Sequence, residues 1–456
     1  MGILLIALGV IMLVSQILKI SVIEHIIKWW PVVLIMIGIE ILVYIALSKQ
    51  DEPKVKFDVF SIIIISMLMM ASVGMYAVTS FVSFANGDIS IGPVFEKYKS
   101  ELKFKKNLSV DAKGSKLIVD NDAGDVEVVK GEGKKVEVEA NITIRNNDEE
   151  YAAKIANSLI DIANEGNIKV SSKASQYSNK GSIGSISIDY IIKVPDTVNV
   201  EVDNKFGDVV LRDLALSGKV DNKNGDVTIT SLGGNLVVNS SFGNIDAKNI
   251  RGKAELYLKN GEITANNIEK GLTIENSFGD IEVNDIKELT SISNTNGKTQ
   301  GNRVTGNFTV ESKFGDVIFS DISGSIDVDQ ENGNVEISGV GENVKVTDKF
   351  GDIKIVNANK GINLNGSNGK ITLETGKTIE QDVSIENKFG DINLKIPGAQ
   401  NGYFDVRTDL GSIKNDFGLN VKEEVTKESM KGTLIDDKVK FKVSNANGDI
   451  NLEKLK

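Results

Sequence analysis

The apolar residues of this chain follow two different patterns along its length. Three long apolar stretches occupy residues 3–18, 31–47 and 59–84, and each contains a run near the ~20 residues that a bilayer core requires. From about residue 108 onward, short runs alternate apolar and polar residues, which is typical of strands with one buried face. The pattern therefore predicts an all-α block of three transmembrane helices over 1–84, followed by a mainly β region.

A glycine recurs every 18 residues through the second region, and the residue before it alternates between Phe and Asn. The full repeat is therefore a pair of coils, 36 residues long. The glycines are Gly207, Gly225, Gly243, Gly261, Gly279, Gly297, Gly315, Gly333, Gly351 and Gly369. The phenylalanines are Phe206, Phe242, Phe278, Phe314 and Phe350, and a sixth pair, Phe389 and Gly390, follows after 21 residues. The longer last step indicates a three-residue insertion at a turn.

Counted from each glycine, apolar residues recur at positions +2, +4, +7, +11 and +13. The inward side switches between +4 and +7, so each coil should hold two strands separated by a turn. No proline falls between Pro195 and Pro397, so the backbone hydrogen-bond ladder can run unbroken. This arrangement predicts a flattened parallel β-solenoid over 201–396, built from 18-residue two-strand coils that are stable only when they are stacked.

The Phe-Gly and Asn-Gly steps are expected to form the structural turn and corner of each coil, because glycine adopts positive φ at little cost. The Phe position has the inward parity of +11 and +13. We therefore expect each ring to point inward and to meet Asn from the neighbouring coils. This interpretation is a packed corner, in preference to a binding track.

Two further features of the repeat carry expectations. The residue after each turn glycine is often Asp, as at Asp208, and a column of carboxylates could hold calcium. Lys298 and Lys370 stand in the same column, which favours a solvated edge of compensating charges instead. One coil has Thr299 and Gly301 where apolar residues are expected, which predicts a local bulge or the weakest coil of the stack.

Both ends of the solenoid need covers, because they expose unpaired backbone and apolar surface. An N-terminal cap is expected over 108–200, with a helix at about 148–164 that follows a capping sequence starting at Asn147. A C-terminal cap is expected over 397–456, where the period loosens and the chain should end in a hairpin-like cover. Residues 85–107 show no clear periodicity and are assigned to a membrane-proximal connector.

Composition argues against most kinds of active site. The net charge is -11, with 52 basic and 63 acidic residues, which is unfavourable for a nucleic-acid partner. The sequence has no Cys, and its one His, His25, lies beside the apolar stretches. Its Arg residues are scattered and share no column of the repeat, whereas a polysaccharide lyase or hydrolase needs converging charged groups. We expect no enzymatic activity, no cofactor and no metal site.

The apolar stretches also carry a family resemblance. Trp29 and Trp30 lie where the second stretch begins, and indole rings favour the membrane interface. The runs Gly2–Gly9 and Trp29–Gly38 resemble the transmembrane region of LiaF-type bacterial envelope proteins, which implies a bacterial cell-membrane protein. The lysines between the second and third stretches favour a solenoid outside the cell, although further lysines after the third stretch weaken that inference.

The repeat motifs carry a second resemblance. Phe206–Val209, Asn224–Val227 and Asp189–Pro195 are similar to motifs of the bacterial adhesin-like β-strand-repeat family, a head-GIN-like domain of unknown function. This resemblance covers about residues 108–456 and implies a β-solenoid at the cell surface without catalytic residues. We therefore expect a membrane-anchored, non-catalytic interaction or envelope-stress accessory protein. The alternatives are a structural spacer or adhesin and, less favoured, a polysaccharide-active enzyme. The expected partners are the membrane and either envelope proteins or cell-wall glycans.

Overall fold

The computed structural model describes residues 100–112, 116–178, 183–288 and 290–455. The chain divides into two compact units, 1–97 and 98–456, and all described residues belong to the second. The expected transmembrane block, with Trp29 and Trp30, therefore lies outside the described residues, as does most of the expected connector. Among the helices of the described ranges, none has the length and apolar character needed to cross a membrane.

The described residues form two short helices and a long series of strands. The helices are α1 (Glu149–Ser158) and α2 (Ser175–Ser178). The strands are β1 (Glu101–Asp111), β2 (Lys116–Asn121), β3 (Val126–Lys130), β4 (Lys135–Arg145), β5 (Ile160–Glu165), β6 (Asn167–Ser172), β7 (Ser185–Val194), β8 (Asn199–Phe206), β9 (Val209–Leu214), β10 (Gly218–Asn224), β11 (Val227–Leu232), β12 (Leu236–Phe242), β13 (Ile245–Ile250), β14 (Ala254–Asn260), β15 (Ile263–Ile268), β16 (Leu272–Phe278), β17 (Ile281–Ile286), β18 (Thr290–Asn296), β19 (Thr299–Val304), β20 (Phe308–Phe314), β21 (Val317–Ile322), β22 (Ile326–Asn332), β23 (Val335–Val340), β24 (Val344–Phe350), β25 (Ile353–Ala358), β26 (Ile362–Asn368), β27 (Ile371–Glu374), β28 (Val383–Phe389), β29 (Ile392–Pro397), β30 (Gly402–Leu410), β31 (Ile413–Asn415), β32 (Val421–Glu423), β33 (Glu428–Leu434), β34 (Lys440–Asn447) and β35 (Ile450–Leu455).

Two parallel sheets enclose the core of the repeat region. Sheet A contains the odd-numbered strands from β9 to β29, which follow the turn glycines, and sheet B contains the even-numbered strands from β8 to β28, which precede them. Each strand pairs with the equivalent strand of the next coil, as Val227 does with Ile245 in sheet A. Equivalent side chains therefore stack in columns along the solenoid. The predicted fold class, a parallel β-solenoid with 18-residue spacing, is confirmed.

The apolar positions of the repeat line the core. In one coil, Val227, Ile229, Leu232, Leu236 and Val238 are all 0–1% exposed. The switch of inward side between +4 and +7 has a local cause, because the residue at +6 adopts the left-handed conformation. Its φ is 53–60° at Asp213, Ser231, Asn249, Asn267, Asp285, Arg303, Asp321 and Asn357. Asn and Asp predominate in this column because they tolerate left-handed φ better than other residues with side chains.

In the coil that has small residues at core positions, larger side chains nearby fill the space in the core. Thr299 is completely buried, and its Oγ1 lies 3.2 Å from Nδ2 of Asn294, which donates to it. A Cβ at Gly301 would overlap the ring of Phe319, which stacks on it from the next coil. Phe319 packs edge-to-face against Phe308, with ring centroids 4.5 Å apart. Two phenylalanines thus fill the space that the smaller residues leave, and β19 keeps its regular pairing without a bulge.

The N-terminal cap stacks its strands out of chain order. The coil formed by β2 and β3 lies directly below β8 and β9, and β6 and β7 stack on its other side. Antiparallel strands then close this end, since β4 pairs with β7, β1 with β4, and β5 with β6. Both sheets therefore end in antiparallel strands.

Two expectations for this cap are wrong. Residues 101–107 belong to β1 and not to a connector, because their alternating side chains, such as Leu102 and Phe104, pack against the core. The helix ends at Ser158 and not near 164. Its N-cap is Asp148, whose carboxylate accepts the N–H of Tyr151 at 2.9 Å. Beyond the helix, Ile160 and Ile162 follow a period of two, and this segment pairs with β6 as strand β5.

The C-terminal region also departs from its expectation. The last segment, β34 and β35, is not an outer cover, because β34 pairs with both β28 and β30 and β35 with both β29 and β31. It forms an ordinary coil with its own turn at Gly448, which stacks on Gly390. The outer cover is made by the preceding residues, in which β33 pairs antiparallel with β30 and β32 with β33. The chain end is therefore held between two other coils.

Candidate functional site

The turn glycines form one edge of the solenoid, where sheet B passes into sheet A. From Gly207 to Gly390 their φ values lie between 107° and 159°, a region that residues with a Cβ rarely adopt. A Cβ at any of these positions would also overlap the carbonyl oxygen of the preceding turn glycine. The close stacking of the turns therefore requires glycine at this position in each coil.

An inward row of mostly polar side chains lies beneath these turns, three residues before the glycine, with Leu258 and Gly366 as the two exceptions. Asn222 is buried, and its Nδ2 donates to the carbonyl of Gly225 at 2.9 Å and to that of Gly207, one coil earlier, at 3.4 Å. The same role is taken by Asn121, Asn204, Asn276, Asn294, Asn387 and Asn445, each of which donates to at least one turn carbonyl. These amides join successive turns from inside.

The phenylalanines point outward, so the expectation of inward rings is wrong. Phe206, Phe242, Phe278, Phe314, Phe350 and Phe389 are 49–57% exposed. The physical reason is the polar row beneath the turns. The residue two positions before each Phe already fills the space under the turn, and the ring lies beyond the end of the core. The sequence signal for this arrangement was the recurrent Asn three residues before the glycine.

One coil of the polar row carries a carboxyl group where others carry an amide. Asp348 is 1% exposed; its Oδ1 accepts the N–H of Phe350 at 3.2 Å, and Oδ2 has no hydrogen-bond partner. Burial raises the pKa of Asp348 to about 7, against the opposing effect of the N–H of Phe350. The carboxyl group is therefore protonated in the folded chain at pH values where an ordinary Asp is ionised.

This burial makes stability depend on pH in a defined direction. The folded-state pKa lies above the unfolded value, so the contribution of Asp348 is fully present below about pH 4 and is lost as pH rises through about 7. We expect Asp348→Asn to remove this dependence and to stabilise the protein at pH 8 by about 1–3 kcal/mol. Denaturant unfolding followed by circular dichroism at pH 5 and pH 8 checks this, and equal pH dependence in both proteins would contradict it.

The residue after each turn glycine forms a second polar column, on the outside. Oδ1 of Asp208 accepts the backbone N–H of Asp226 at 2.8 Å, and Oδ1 of Asp226 accepts that of Asn244 at 2.7 Å. Only a short side chain with an oxygen can make this bond, which explains the preference for Asp and Asn. Among the described residues, no group of three acidic or histidine side chains is arranged to hold a metal ion.

The exposed rings and the residues between them form a continuous line that we call the phenylalanine edge. It contains the six phenylalanines and, on the five coils between them, Asn224, Asn260, Asn296, Asn332 and Asn368, and Asn447 follows Phe389 at the end of the line. Neighbouring rings are two coils apart, or about 9.6 Å along the solenoid. Nδ2 of Asn368 donates to the backbone carbonyl of Lys349 at 3.2 Å, which keeps this amide close to the strand while the rings project.

A groove runs beside the phenylalanine edge on the outer face of sheet B. It has a volume of about 610 Å³ and extends across the strands from β8 to β18. One row of its lining consists of Asp221, Asn239, Tyr257, Glu275 and Ser293. The other row consists of the residues immediately before the edge, from Lys223 to Thr295. Burial, together with Glu255 and Glu275, raises the pKa of Tyr257, so its hydroxyl stays neutral.

Several charged residues outside this groove form ion pairs with one another. Arg303 donates to both carboxylate oxygens of Asp285, at 2.6 and 2.7 Å, and Arg212 pairs with Glu127. Lys345 pairs with Asp327 in the preceding coil at 2.9 Å. These pairs are exposed, so each contributes little to stability.

Two segments of the chain match models of known protein families. Residues 1–95 match the family model of the LiaF transmembrane domain, and residues 290–453 match that of the Toastrack domain DUF4097. Both family resemblances predicted from the sequence are therefore confirmed. Among curated proteins, none matches this sequence.

Several solved structures are similar to the chain, although with low TM-scores. A candidate adhesin from Bacteroides fragilis has 18% identity and a TM-score of 0.26, and the match covers 55% of this chain and 97% of that one. A candidate cell adhesion protein from Clostridium sporogenes has 10% identity and a TM-score of 0.17, with 78% and 100% covered. A candidate lipid binding protein from Parabacteroides distasonis has 10% identity and a TM-score of 0.17, with 76% and 97% covered. The domain assignment rests on the two family matches.

Proposed function

We propose, because the chain joins a LiaF transmembrane domain to a Toastrack domain, that it is a membrane-anchored, non-catalytic interaction protein of the bacterial cell surface. In this proposal the solenoid lies outside the membrane and the phenylalanine edge is its binding surface. Binding there would serve an accessory role in the envelope and in its response to stress. The observation that carries the proposal is the line of six exposed rings.

The exposed rings are not explained by the needs of the fold. Every second coil places Asn at the same position and pairs with its neighbours in the same register, as Asn224 does with Phe206 and Phe242. Single scattered apolar residues are normal on a soluble surface, whereas six exposed rings aligned at a regular interval favour contact with a partner. The chain therefore keeps six solvent-exposed phenylalanines, although Asn occupies the same position in alternate coils and would be better solvated.

The absence of catalytic activity is part of the proposal and has separate support. Arg212 and Arg303 are engaged in ion pairs in different coils, and the described residues bring no metal-binding group together. The carboxylates beside the turns accept backbone N–H groups, as Asp208 does. A glycan-cleaving site would need a pair of carboxyl groups free to act as acid and base.

The proposal predicts that replacing all six phenylalanines by Asn abolishes partner binding without unfolding the solenoid. The reason is that Asn already occupies this position in alternate coils. We expect the full-length variant to keep its circular dichroism spectrum and to lose the envelope components that co-purify with the wild-type chain from membranes. An envelope-stress reporter should lose its dependence on the protein at the same time.

A matched control tests whether any loss of apolar surface has this effect. Val210, Ile318 and Val356 are partly exposed on the outer face of sheet A, away from the edge. Replacing all three by Asn should leave co-purification and the reporter unchanged. If the six-fold variant retains every partner and the reporter response, the phenylalanine edge is not the binding surface and the proposed function fails.

A further inference from the structure

We infer, building on the proposed function, that the phenylalanine edge binds an extended β-1,4-linked polysaccharide laid along the solenoid axis. The proposal names the chemical class of the partner. It depends on the spacing of the rings, on the residues between them and on the groove beside them.

The first argument is the repeat length. In an extended β-1,4-linked glycan, alternate sugars are turned over, so the same face of the chain recurs at every second sugar. The rings of the phenylalanine edge recur at every second coil, about 9.6 Å apart. Two linked pyranose rings have a length of the same order. Such a glycan could therefore present an equivalent face to each ring in turn.

The second argument is the chemistry of the rings and of their neighbours. The face of an aromatic ring is electron-rich, and the C–H groups on one face of a pyranose carry partial positive charge, so the two stack favourably. Between the rings, Nδ2 of Asn224, Asn260, Asn296 and Asn368 donates to a backbone carbonyl, and Oδ1 with the second N–H is offered to the hydroxyls of the sugar that does not stack. The edge therefore alternates an apolar and a polar contact, as the two sugars of the repeat would require.

The third argument is the groove. Asn239, Tyr257 and Ser293 line one of its rows beside Asp203, Asp221 and Glu275, and Ser241, Ser277 and Thr295 line the other beside Lys223 and Lys259. The six uncharged side chains can each donate and accept hydrogen bonds, and the charged ones add carboxylate acceptors and ammonium donors, which together match the needs of sugar hydroxyls. Tyr257 also adds an aromatic surface near the middle of the row.

Other partners fit these observations less well. A nucleic acid would meet Asp221 and Glu275 in the groove and a net charge of -11. A membrane surface or an apolar protein face would match a continuous apolar strip, but here an Asn separates each ring from the next. A second copy of the chain could interleave its own rings, and the experiment below includes that outcome.

The test measures binding of hexasaccharides to the full-length protein in lipid nanodiscs by isothermal titration calorimetry. The probes are chitohexaose and cellohexaose, which are β-1,4-linked and extended, and the control is maltohexaose, which is α-1,4-linked and curved. We expect the first two to bind and maltohexaose not to bind. The six-fold Phe→Asn variant should lose binding, and the sheet A control variant should keep it.

A composition-matched variant tests the spacing itself. Exchanging one ring with its neighbour, as Phe278→Asn with Asn296→Phe, keeps six exposed rings but breaks the two-coil interval. We expect affinity for chitohexaose or cellohexaose to fall by about tenfold, since stacking across the interval is interrupted. Equal affinity in the exchanged variant would overturn the inference, as would equal binding of maltohexaose or no binding of either β-linked probe.

Failure of this inference can be distinguished from failure of the proposed function. If no β-linked sugar binds but the six-fold variant still loses its envelope partners, the glycan inference fails and the interaction function stands. Another outcome is that sedimentation shows a dimer for the wild-type protein and a monomer for the six-fold variant, and that no sugar binds. In that case the edge joins two copies of the chain and the glycan inference is overturned. If the six-fold variant keeps all partners, the proposed function fails, and if it also binds the β-linked probes as the wild type does, the glycan inference fails with it.

Discussion

Replacing Phe319 by Ala is expected to destabilise the solenoid by about 3–5 kcal/mol, among the largest effects of any single core substitution. The ring is 1% exposed and fills the space above Gly301, where other coils carry an aliphatic side chain. Its removal leaves a cavity between two sheets that cannot easily collapse, because the ladder bonds fix their separation. Hydrogen exchange of the amides in β19 and β21 measures the loss locally, which suits a repeat protein.

A double-mutant cycle provides the control for this prediction. Gly301→Ala alone should destabilise the coil, because its methyl group overlaps the ring of Phe319. Phe319→Ile alone should also destabilise the coil, because it leaves a cavity above Gly301 that is smaller than the one left by Phe319→Ala. Combined, the two substitutions restore the residue sizes of other coils, in which Ala247 and Ala265 occupy the position of Gly301. The double variant should therefore be more stable than the sum of the single effects. Strict additivity would show that the two residues do not compensate for each other.

Replacing Gly279 by Ala is expected to destabilise the protein by more than about 3 kcal/mol. Two effects combine, since φ is 127° and the added Cβ overlaps the carbonyl oxygen of Gly261. Thermal unfolding and hydrogen exchange in β16 and β17 measure the change. Gly376→Ala is the matched control, because no atom lies within 4 Å of a Cβ there, and it should change stability by less than about 0.5 kcal/mol. Similar losses at both glycines would contradict the account of the turns.

The regular part of the fold could be predicted from the sequence because one rule is repeated in every coil. The 18-residue interval of the glycines and the parity of the apolar residues determine the strands, their register and the parallel stack. The filling of the weak coil could not be predicted in this way. It depends on the ring of Phe319, which comes from the next coil and enters the space above Gly301. The residues of one coil alone do not reveal this contact.

The ends could be predicted only in outline. At the N-terminal end, β4 and β7 pair over sequence separations that no local pattern reports. In the segment after Ser158, the spacing of the apolar residues is compatible with either a helix or a strand. The segment forms a strand because it pairs with β6. At the C-terminal end, β34 keeps the turn motif of an ordinary coil, but its position between β28 and β30 follows from tertiary pairing.

The candidate site was the part that parity alone predicted wrongly. Alternation assigns Phe278 to the inside, but the bend at Gly279 ends the core two residues earlier, at the buried Asn276. That Asn satisfies the turn carbonyls and leaves the ring in solvent. Asn at the third position before the glycine was therefore the informative signal. The groove could not be predicted from the sequence, because its lining residues come from separate strands, from β8 to β18, that are adjacent only once the coils stack.

The most direct test of the central claim is maleimide labelling of single cysteines in intact cells, which the absence of native Cys makes specific. Asn260→Cys places a thiol between two rings of the phenylalanine edge, and Asn266→Cys places one in the next strand, on the outer face of sheet A. With a membrane-impermeant reagent, we predict that the thiol at 266 is labelled rapidly in intact cells. The thiol at 260 should be protected there and become reactive in the purified protein. Equal labelling of both in intact cells would contradict an occupied edge, and labelling of neither until the cells are broken would contradict a solenoid outside the membrane.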